Sequence, residues 1–310
     1  YGDYDVDGMT AAALLHHFFT LINARVAVFL PRRIEEGYGL NRDLFKRFHD
    51  DGVSLIVSVD CGITSLEEAR VARELGMDLI ITDHHEPEGE LPDAVAVINP
   101  KKPPRQYPFK ELAGVGVAFK LAWALAKHFS GQKKVTAEFR DFLLNAVALV
   151  ALGTVADVVP LVGENRVFVS AGLDALWNTR LPGIRALMNV SRIKDSLNAR
   201  DVAFRMAPRL NAAGRLNEPE MGFELLVTDS FGRAMEIARD LETKNRHRQS
   251  IEKKILAAAR KNLLGAGDPA DSRVIVLAGE DWHPGVLGIV ASRIAEEFYR
   301  PTVLLNIEGS

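Results

Sequence analysis

Ile80-Ile81-Thr82-Asp83-His84-His85 joins two apolar residues to a threonine, an acid and two adjacent histidines. An apolar run ending in polar groups predicts a buried parallel strand whose C-terminal end opens onto a crevice, where open α/β sheets hold ligands. Leu55-Ile56-Val57-Ser58-Val59 runs in the same way into Asp60-Cys61-Gly62. The chain opens on Asp3-Tyr4-Asp5-Val6-Asp7-Gly8, directly ahead of a helical pattern over 9–21. Three acid-bearing edges of one sheet therefore converge. Carboxylates packed that closely repel one another unless cations lie between them, so divalent metals are expected at this edge.

The 310 residues exceed one typical domain and predict two. A hydrophobic share of 47% and a charged share of 25% place the chain among soluble globular proteins. No stretch approaches the roughly 20 apolar residues of a membrane span, and no signal peptide is visible. A cytoplasmic protein without a membrane partner is expected. Tyr1, with no strand ahead of the first acidic motif, marks a fragment with upstream residues missing. The one cysteine, Cys61, excludes an internal disulfide and fits a reducing compartment. It reads as a small buried apolar residue rather than a reactive thiol. Net charge is −3, which alone argues against a polyanionic partner. The distribution points the other way: residues 192–261 hold 15 Lys/Arg against 10 Asp/Glu, or +5, leaving −8 elsewhere. An acidic part beside a basic part suits a metal site next to a phosphate-backbone track.

Strands over 25–30, 55–59, 79–81 and 94–98 alternate with helices over 9–21, 42–50 and 65–75. The first helix reads as amphipathic, and Asn41 as the N-cap of the second. That pitch predicts a doubly wound parallel sheet in an α/β fold. After a Pro- and Lys-rich loop at 99–108 come helices over 112–129 and 139–152. The latter is nearly all apolar and should be buried. It leads into Gly153-Thr154-Val155-Ala156-Asp157, where an acid at the end of a greasy helix needs a partner. A further helix covers 166–177. Residues 204–215 contain Ala207–Arg215, which reads as a glycine-bearing loop with two arginines. Residues 230–264 form one long helix, polar around much of its circumference, as in helices that bridge domains, and Gly265-Ala266-Gly267-Asp268-Pro269 ends it. A strand over 274–277, a helix over 285–298 and a strand over 301–305 begin a second α/β unit. The division is a catalytic domain over 1–228, a connecting helix over 229–266 and the start of a smaller α/β domain over 267–310.

Asp5, Asp7, Asp60, His84 and Asp157 form the candidate cluster. Four oxygens and one imidazole suit Mn²⁺ or Mg²⁺ better than Zn²⁺, which prefers sulfur and several imidazoles. A carboxylate shared by two metals about 3.5–4 Å apart is the usual geometry of phosphoryl hydrolysis. Singly, each element has a bland reading: a solvated Asp-x-Asp turn, a helix cap at Asp60, surface histidines. Their force lies in co-occurrence at the ends of strands and a buried helix. No nucleophile triad competes, and no Walker loop is present.

Gly2-Asp3-Tyr4-Asp5-Val6-Asp7-Gly8, Val59-Asp60-Cys61-Gly62, Thr82-Asp83-His84-His85 and Gly153-Thr154-Val155-Ala156-Asp157 resemble, in order, the four motifs of the DHH phosphoesterase superfamily. Arg32-Arg33 ahead of Glu36-Gly37-Tyr38-Gly39-Leu40, Pro208-Arg209-Leu210-Asn211-Ala212-Ala213-Gly214-Arg215, and Trp282-His283-Pro284-Gly285-Val286-Leu287-Gly288 resemble its RecJ branch, the bacterial single-strand-specific 5′→3′ exonucleases of repair and recombination. The resemblance implies a second domain of the DHHA1 type. It implies that Asp5 and Asp60 hold one metal, and Asp7, Asp60, His84 and Asp157 the other. His85 would face the scissile phosphate and Asp83 would orient a histidine. Arg33, Arg209 and Arg215 are candidates for gripping phosphates, with structural pairing as the alternative for the last two. Trp282 and His283 are candidates for substrate contact, with interior packing as theirs. The family's histidine four residues before the first metal aspartate is Tyr1 here, so Asp3 is expected to supply an oxygen. The chain stops before the Gly/Ser/Arg-rich loop and the OB-fold of the branch, which implies a weaker grip on substrate.

The implied activity is removal of 5′-mononucleotides from single-stranded DNA, with salt-sensitive binding and possible assistance from a helicase and a single-strand-binding protein. One rival is a DHH phosphodiesterase or phosphatase for short oligonucleotides or nucleotide bisphosphates. Another is a catalytically silent scaffold, which should have lost the acids that this chain keeps.

Overall fold

A computed structural model of the chain describes residues 1–104, 107–131, 134–265 and 272–307. Strands β1 (Leu55–Val59), β2 (Asp78–Thr82) and β3 (Ala96–Ile98) form a parallel sheet in that order. Leu55 lies opposite Asp78 and Val59 opposite Thr82, so Asp60 and Asp83 leave adjacent strands side by side. Tyr1-Gly2 lies along the other side of β1. The Tyr1 carbonyl accepts from the Val59 N–H at 2.9 Å, and Gly2 bridges Val59 in parallel. Asp3 and Asp5 therefore leave the same edge. The strand expected over 25–30 does not form. Among the described residues only the Gly2 N–H, donating to the Phe29 carbonyl at 3.0 Å, joins that stretch to the sheet, and one bond does not make a ladder.

Helices cover both faces of the sheet. On one side α1 (Val6–Leu21), α4 (Gly114–Phe129) and α5 (Ala137–Ala156) build the main core with Val59. On the other, α2 (Arg42–Asp50) and α3 (Leu66–Glu74) pack Phe45, Ala69 and Ala72 against Ile56, Leu79 and Ile81. Asn41 caps α2 as its side chain accepts from the Asp43 N–H. The first helix differs from expectation. It starts at Val6, because Asp5 is its N-cap, and every residue from Val6 to Leu15 is buried, so it is a core helix rather than an amphipathic one. The fifth differs too. An 18-residue stretch of it has a mean hydropathy of 1.6, enough by length and composition alone to cross a membrane, although no such stretch was expected from the sequence. Here the helix lies in the main core, with Leu149 to Leu152 buried.

After α6 (Gly163–Trp177) and α7 (Pro182–Val190), the short α8 (Ala199–Asp201) runs through a π-helical turn (Val202–Met206) into α9 (Ala207–Arg215). The segment expected to be a loop is thus helical. Pro208 sits in the first turn of α9, directly after the π-helical turn. Gly214 is small because the Tyr4 carbonyl passes against it. After α10 (Pro219–Val227), the 35-residue α11 (Phe231–Gly265) serves two cores. Ala234, Ile237, Ala238 and Leu241 belong to the main one. Ile255, Leu256, Ala259 and Leu263 belong to a second, with Ile275 of β4 (Ile275–Glu280), Val286, Val290 and Ile294 of α12 (Pro284–Phe298), and Leu304 of β5 (Thr302–Ile307). Strands β4 and β5 pair in parallel. Between the cores the buried Arg248 donates to Asn245 and Glu252, and Arg293 of α12 pairs with the other Glu252 oxygen at 2.7 Å. Residues 266–269 of the expected turn and the terminal 308–310 lie outside the described residues.

The basic stretch is less free than its composition implies. Arg205, Arg209, Arg233, Lys244, Arg246, Arg248 and Arg260 all pair with carboxylates. Those seven of the 15 Lys/Arg over 192–261 are held by the protein's own acids and are not free to line a phosphate track.

Candidate metal centre

Five acids and two histidines reach one space from five places in the chain. Asp3 and Asp5 follow the Tyr1-Gly2 edge segment. Asp5 spends one oxygen on the Gly8 N–H at 3.0 Å, and Asp7 lies in the first turn of α1. Both Asp7 oxygens accept from the start of α4, from the Gly114 N–H at 2.6 Å and the Val115 N–H at 2.9 Å. Asp60 ends β1 at φ +61, a left-handed conformation in which aspartate is tolerated better than most residues. It caps no helix. Gly114 lets it sit there, since a Cβ on Gly114 would meet Asp60 Oδ1 at 2.6 Å. His84 follows β2, and Asp157 is the C-cap of α5. The apolar helix thus runs four residues beyond its expected end and delivers the acid directly.

His84 Nε2 stands 3.2 Å from Asp60 Oδ1, 3.6 Å from Asp157 Oδ2 and 3.9 Å from Asp7 Oδ2. Ligand atoms of Asp7, His84 and Asp157 lie within 4.8 Å of one another. So do those of Asp3, Asp5 and Asp60, and those of Asp60, His84 and His85. Burial, then Asp157 and Asp5, hold the Asp7 carboxyl well above the usual range, against the pull of the Val115 and Gly114 N–H groups. Burial, then Asp7, does the same to Asp60. Burial and Asp5 push both Asp3 and Asp157 up to about 7. Burial and the neighbouring His85 push His84 down to about 4, leaving a neutral imidazole with a lone pair. Asp3 Oδ1, Asp60 Oδ1, His84 Nε2 and Asp157 Oδ2 are buried with no hydrogen-bond partner. Buried polar atoms are ordinarily satisfied, so four orphans around one space fit bound cations. Oxygen donors with one imidazole match a hard dication.

Asp83 works differently. Burial raises its pKa, but the hydrogen bond and charge of His85 and the Ile63 N–H outweigh it, so the carboxyl lies below its usual range. Asp83 accepts from the N–H groups of Ile63, His84 and His85 and meets His85 Nδ1 at 2.7 Å. The Asp83 bond raises the His85 pKa. His85 faces a cleft of about 350 Å³, shared with Asp3, Tyr4, Asp5, Arg33, Tyr38, Asp157, Asn211 and Arg215. Arg33 lies over the Tyr4 ring, 5.4 Å from its centroid, and Arg215 donates to the Gly285 carbonyl at 3.2 Å. Neither arginine pairs with a carboxylate among the described residues.

Three expected substrate contacts lie elsewhere. Arg209 is outside the cleft, pairing with Glu242 of α11 at 2.7 Å and bonding the Arg205 carbonyl. Trp282 is 6% exposed in the second core, its backbone N–H donating to Asn306 Oδ1. Its large apolar ring fills the space over Gly279. His283 spends Nδ1 on the Gly285 N–H as the N-cap of α12, although Gly285 also touches Arg215. Tyr1 points its hydroxyl at the Gly39 carbonyl. Sequence reasoning gave no role to Tyr4, Tyr38 or Asn211. All three stand in the quoted motifs, but only folding brings their side chains to one cleft.

The model of the DHH family, N-terminal domain, matches residues 1–149. The single-stranded-DNA-specific exonuclease RecJ of Bacillus subtilis is 43% identical over 309 residues, which are 99% of this chain and 37% of that protein. A crystal structure of exonuclease RecJ bound to manganese superposes with a TM-score of 0.86 at 39% identity, covering 98% of this chain and 74% of that one. RecJ from Thermus thermophilus in complex with Mn²⁺ gives 0.84 at 36%, covering 98% and 42%. The chain spans well under two thirds of the curated relatives it matches. Motif order, geometry and these likenesses agree: the chain belongs to the RecJ branch of the DHH family.

Proposed function

We propose that this chain is the catalytic part of a metal-dependent 5′→3′ exonuclease that releases 5′-mononucleotides from single-stranded DNA during repair and recombination. One observation carries the reading. Four buried ligand atoms without a hydrogen-bond partner among the described residues surround one space, beside a cleft with two arginines that pair with no carboxylate there. The donors suit Mn²⁺ or Mg²⁺, the ions of the related RecJ structures. Asp3, Asp5 and Asp60 would hold one ion, and Asp7, His84 and Asp157 the other, with Asp60 between them. Bound dications supply an activated water and neutralise charge on a phosphate.

The chain's own residues do the rest. Arg33 and Arg215 bind backbone phosphates as bidentate donors. Asp83 holds the His85 imidazole by Nδ1, so that Nε2 can face the scissile phosphate. The Tyr4 ring lies under the Arg33 guanidinium and holds it at the cleft by a cation–π contact. We divide the protein at α11, the catalytic body before it and the smaller α/β body after it. A nuclease confined to single strands needs a helicase to open duplexes and a single-strand-binding protein to keep them open. The cytoplasm is the fitting compartment, and burial of the lone Cys61 keeps its thiol protonated.

The test is digestion of a long 5′-labelled single strand with Mn²⁺. The expected first labelled product is a mononucleotide, and Asp60→Ala abolishes its release. Activity confined to two- to five-mers would favour a phosphodiesterase for short oligonucleotides. Near-wild-type turnover by Asp60→Ala would refute the site.

A further inference from the structure

We infer that Tyr38 is a positioning residue for His85, its hydroxyl bracing the imidazole that Asp83 holds from the other side. This rests on the nuclease reading above for its kinetic consequence, but not for the contact itself. The Tyr38 hydroxyl lies 3.3 Å from His85 Nδ1 and 3.4 Å from Nε2. The two rings meet at 80° with centroids 5.9 Å apart. Near-equal reach to both nitrogens at that angle puts the hydroxyl end-on against the ring, not on one lone pair. Asp83 already takes Nδ1 at 2.7 Å. The imidazole is thus fixed at one nitrogen by a carboxylate and across the ring by a phenol.

The bracing matters because His85 is the exposed partner of a buried carboxylate. Its side chain is 45% exposed, whereas Asp83 beneath it is 1% exposed. The Asp83 bond at Nδ1 and the His84 ring, with its centroid 4.5 Å away, hold two sides of the imidazole, and the Tyr38 hydroxyl adds a contact from the open side. The loop is shaped for this. Gly37 at φ +79 and Gly39 at φ +87 flank Tyr38 in conformations that side chains rarely adopt, and nothing surrounds either position. Those glycines are there for backbone shape, which carries Tyr38 over the cleft. The glycine-flanked tyrosine was one of the motifs quoted from sequence, and no other role in the site absorbs it.

The test is Tyr38→Phe, which keeps the ring and removes only the hydroxyl. On a long single strand with Mn²⁺, the expected result is a fall in kcat of about 5- to 10-fold with KM unchanged, the scale of one lost polar contact. In the metal-free chain, the imidazole nitrogen resonances of His85 are expected to move, while those of His16 and His17 stay. This second readout needs no activity. If the wild-type chain proves inactive on DNA, the nuclease reading fails while the nitrogen spectrum still decides the contact. An unmoved His85 spectrum would overturn the inference. So would a raised KM with unchanged kcat, which would make Tyr38 a substrate contact.

Discussion

Asp157→Asn should stabilise the metal-free protein while disabling it. Asp157 sits at the end of an apolar helix with one oxygen unpartnered. Burial, then Asp5, push its carboxyl from 3.8 up to about 7, against smaller pulls from His85 and Lys101. The folded state therefore binds its proton more tightly than the unfolded state does. That contribution to stability is fully present below pH 4 and is lost as pH rises through 7. Keeping the group ionised in the fold above pH 7 costs ~4 kcal/mol if it acted alone. Asp3 and Asp7 share the repulsion from Asp5, and the amide still has to be buried, so about half of that should be recovered. The assay is thermal unfolding with the chelator EDTA at pH 8 and at pH 4. At pH 8 the variant should melt higher, by ~2–4 °C for each kcal/mol recovered. At pH 4 the two proteins should melt alike. Saturating Mn²⁺ should reverse the order at pH 8, because the wild type gains a ligand-linked stabilisation that the amide weakens. A variant no more stable than wild type at pH 8 in EDTA would refute the electrostatic account of the cluster.

Arg215→Ala should weaken single-strand binding in a low-salt titration while Mn²⁺ affinity stays. Unchanged DNA affinity would reject the phosphate role. Arg209→Ala should do the reverse, lowering stability by about 1–3 kcal/mol because Glu242 loses a half-buried partner, with KM unchanged. Gly153→Ala should cost both stability and Mn²⁺ binding. Its Cβ would meet Val115 Cγ1 at 2.8 Å, Asp7 Oδ1 at 2.9 Å and Thr10 Oγ1, so crowding displaces a ligand directly. Normal Mn²⁺ titration by a folded Gly153→Ala protein would contradict that.

The sheet and the acidic edge were legible because both follow from local pattern. Apolar runs at 55–59 and 79–81 are strands in the fold, and the acid after each emerges at the same edge. The grouping of Asp3 with Asp5 and Asp60 also lay within reach, since the missing imidazole at Tyr1 asked for a substitute. What failed depended on tertiary context. Residues 204–215 hold Pro and Gly, which read as loop, yet Pro208 fits a first helical turn and Gly214 answers a passing backbone. The stretch over 25–30 alternates like a strand but finds only one bonding partner. Net charge could not reveal that most of the basic residues on α11 are already paired. Nor could composition separate a buried tryptophan from a substrate contact at Trp282.

The α11 helix acts as a ruler and a dial at once. Its 35 residues span about 52 Å, and each core grips a different end of one rigid rod. Adding a single residue between Asn245 and Glu252 would advance the far body by about 1.5 Å and turn it by about 100°. Adding seven would nearly restore the azimuth but carry Gly285 some 10 Å from Arg215. The residue count of the rod, more than any surface contact, keeps the far body's Gly285 within reach of the cleft's Arg215.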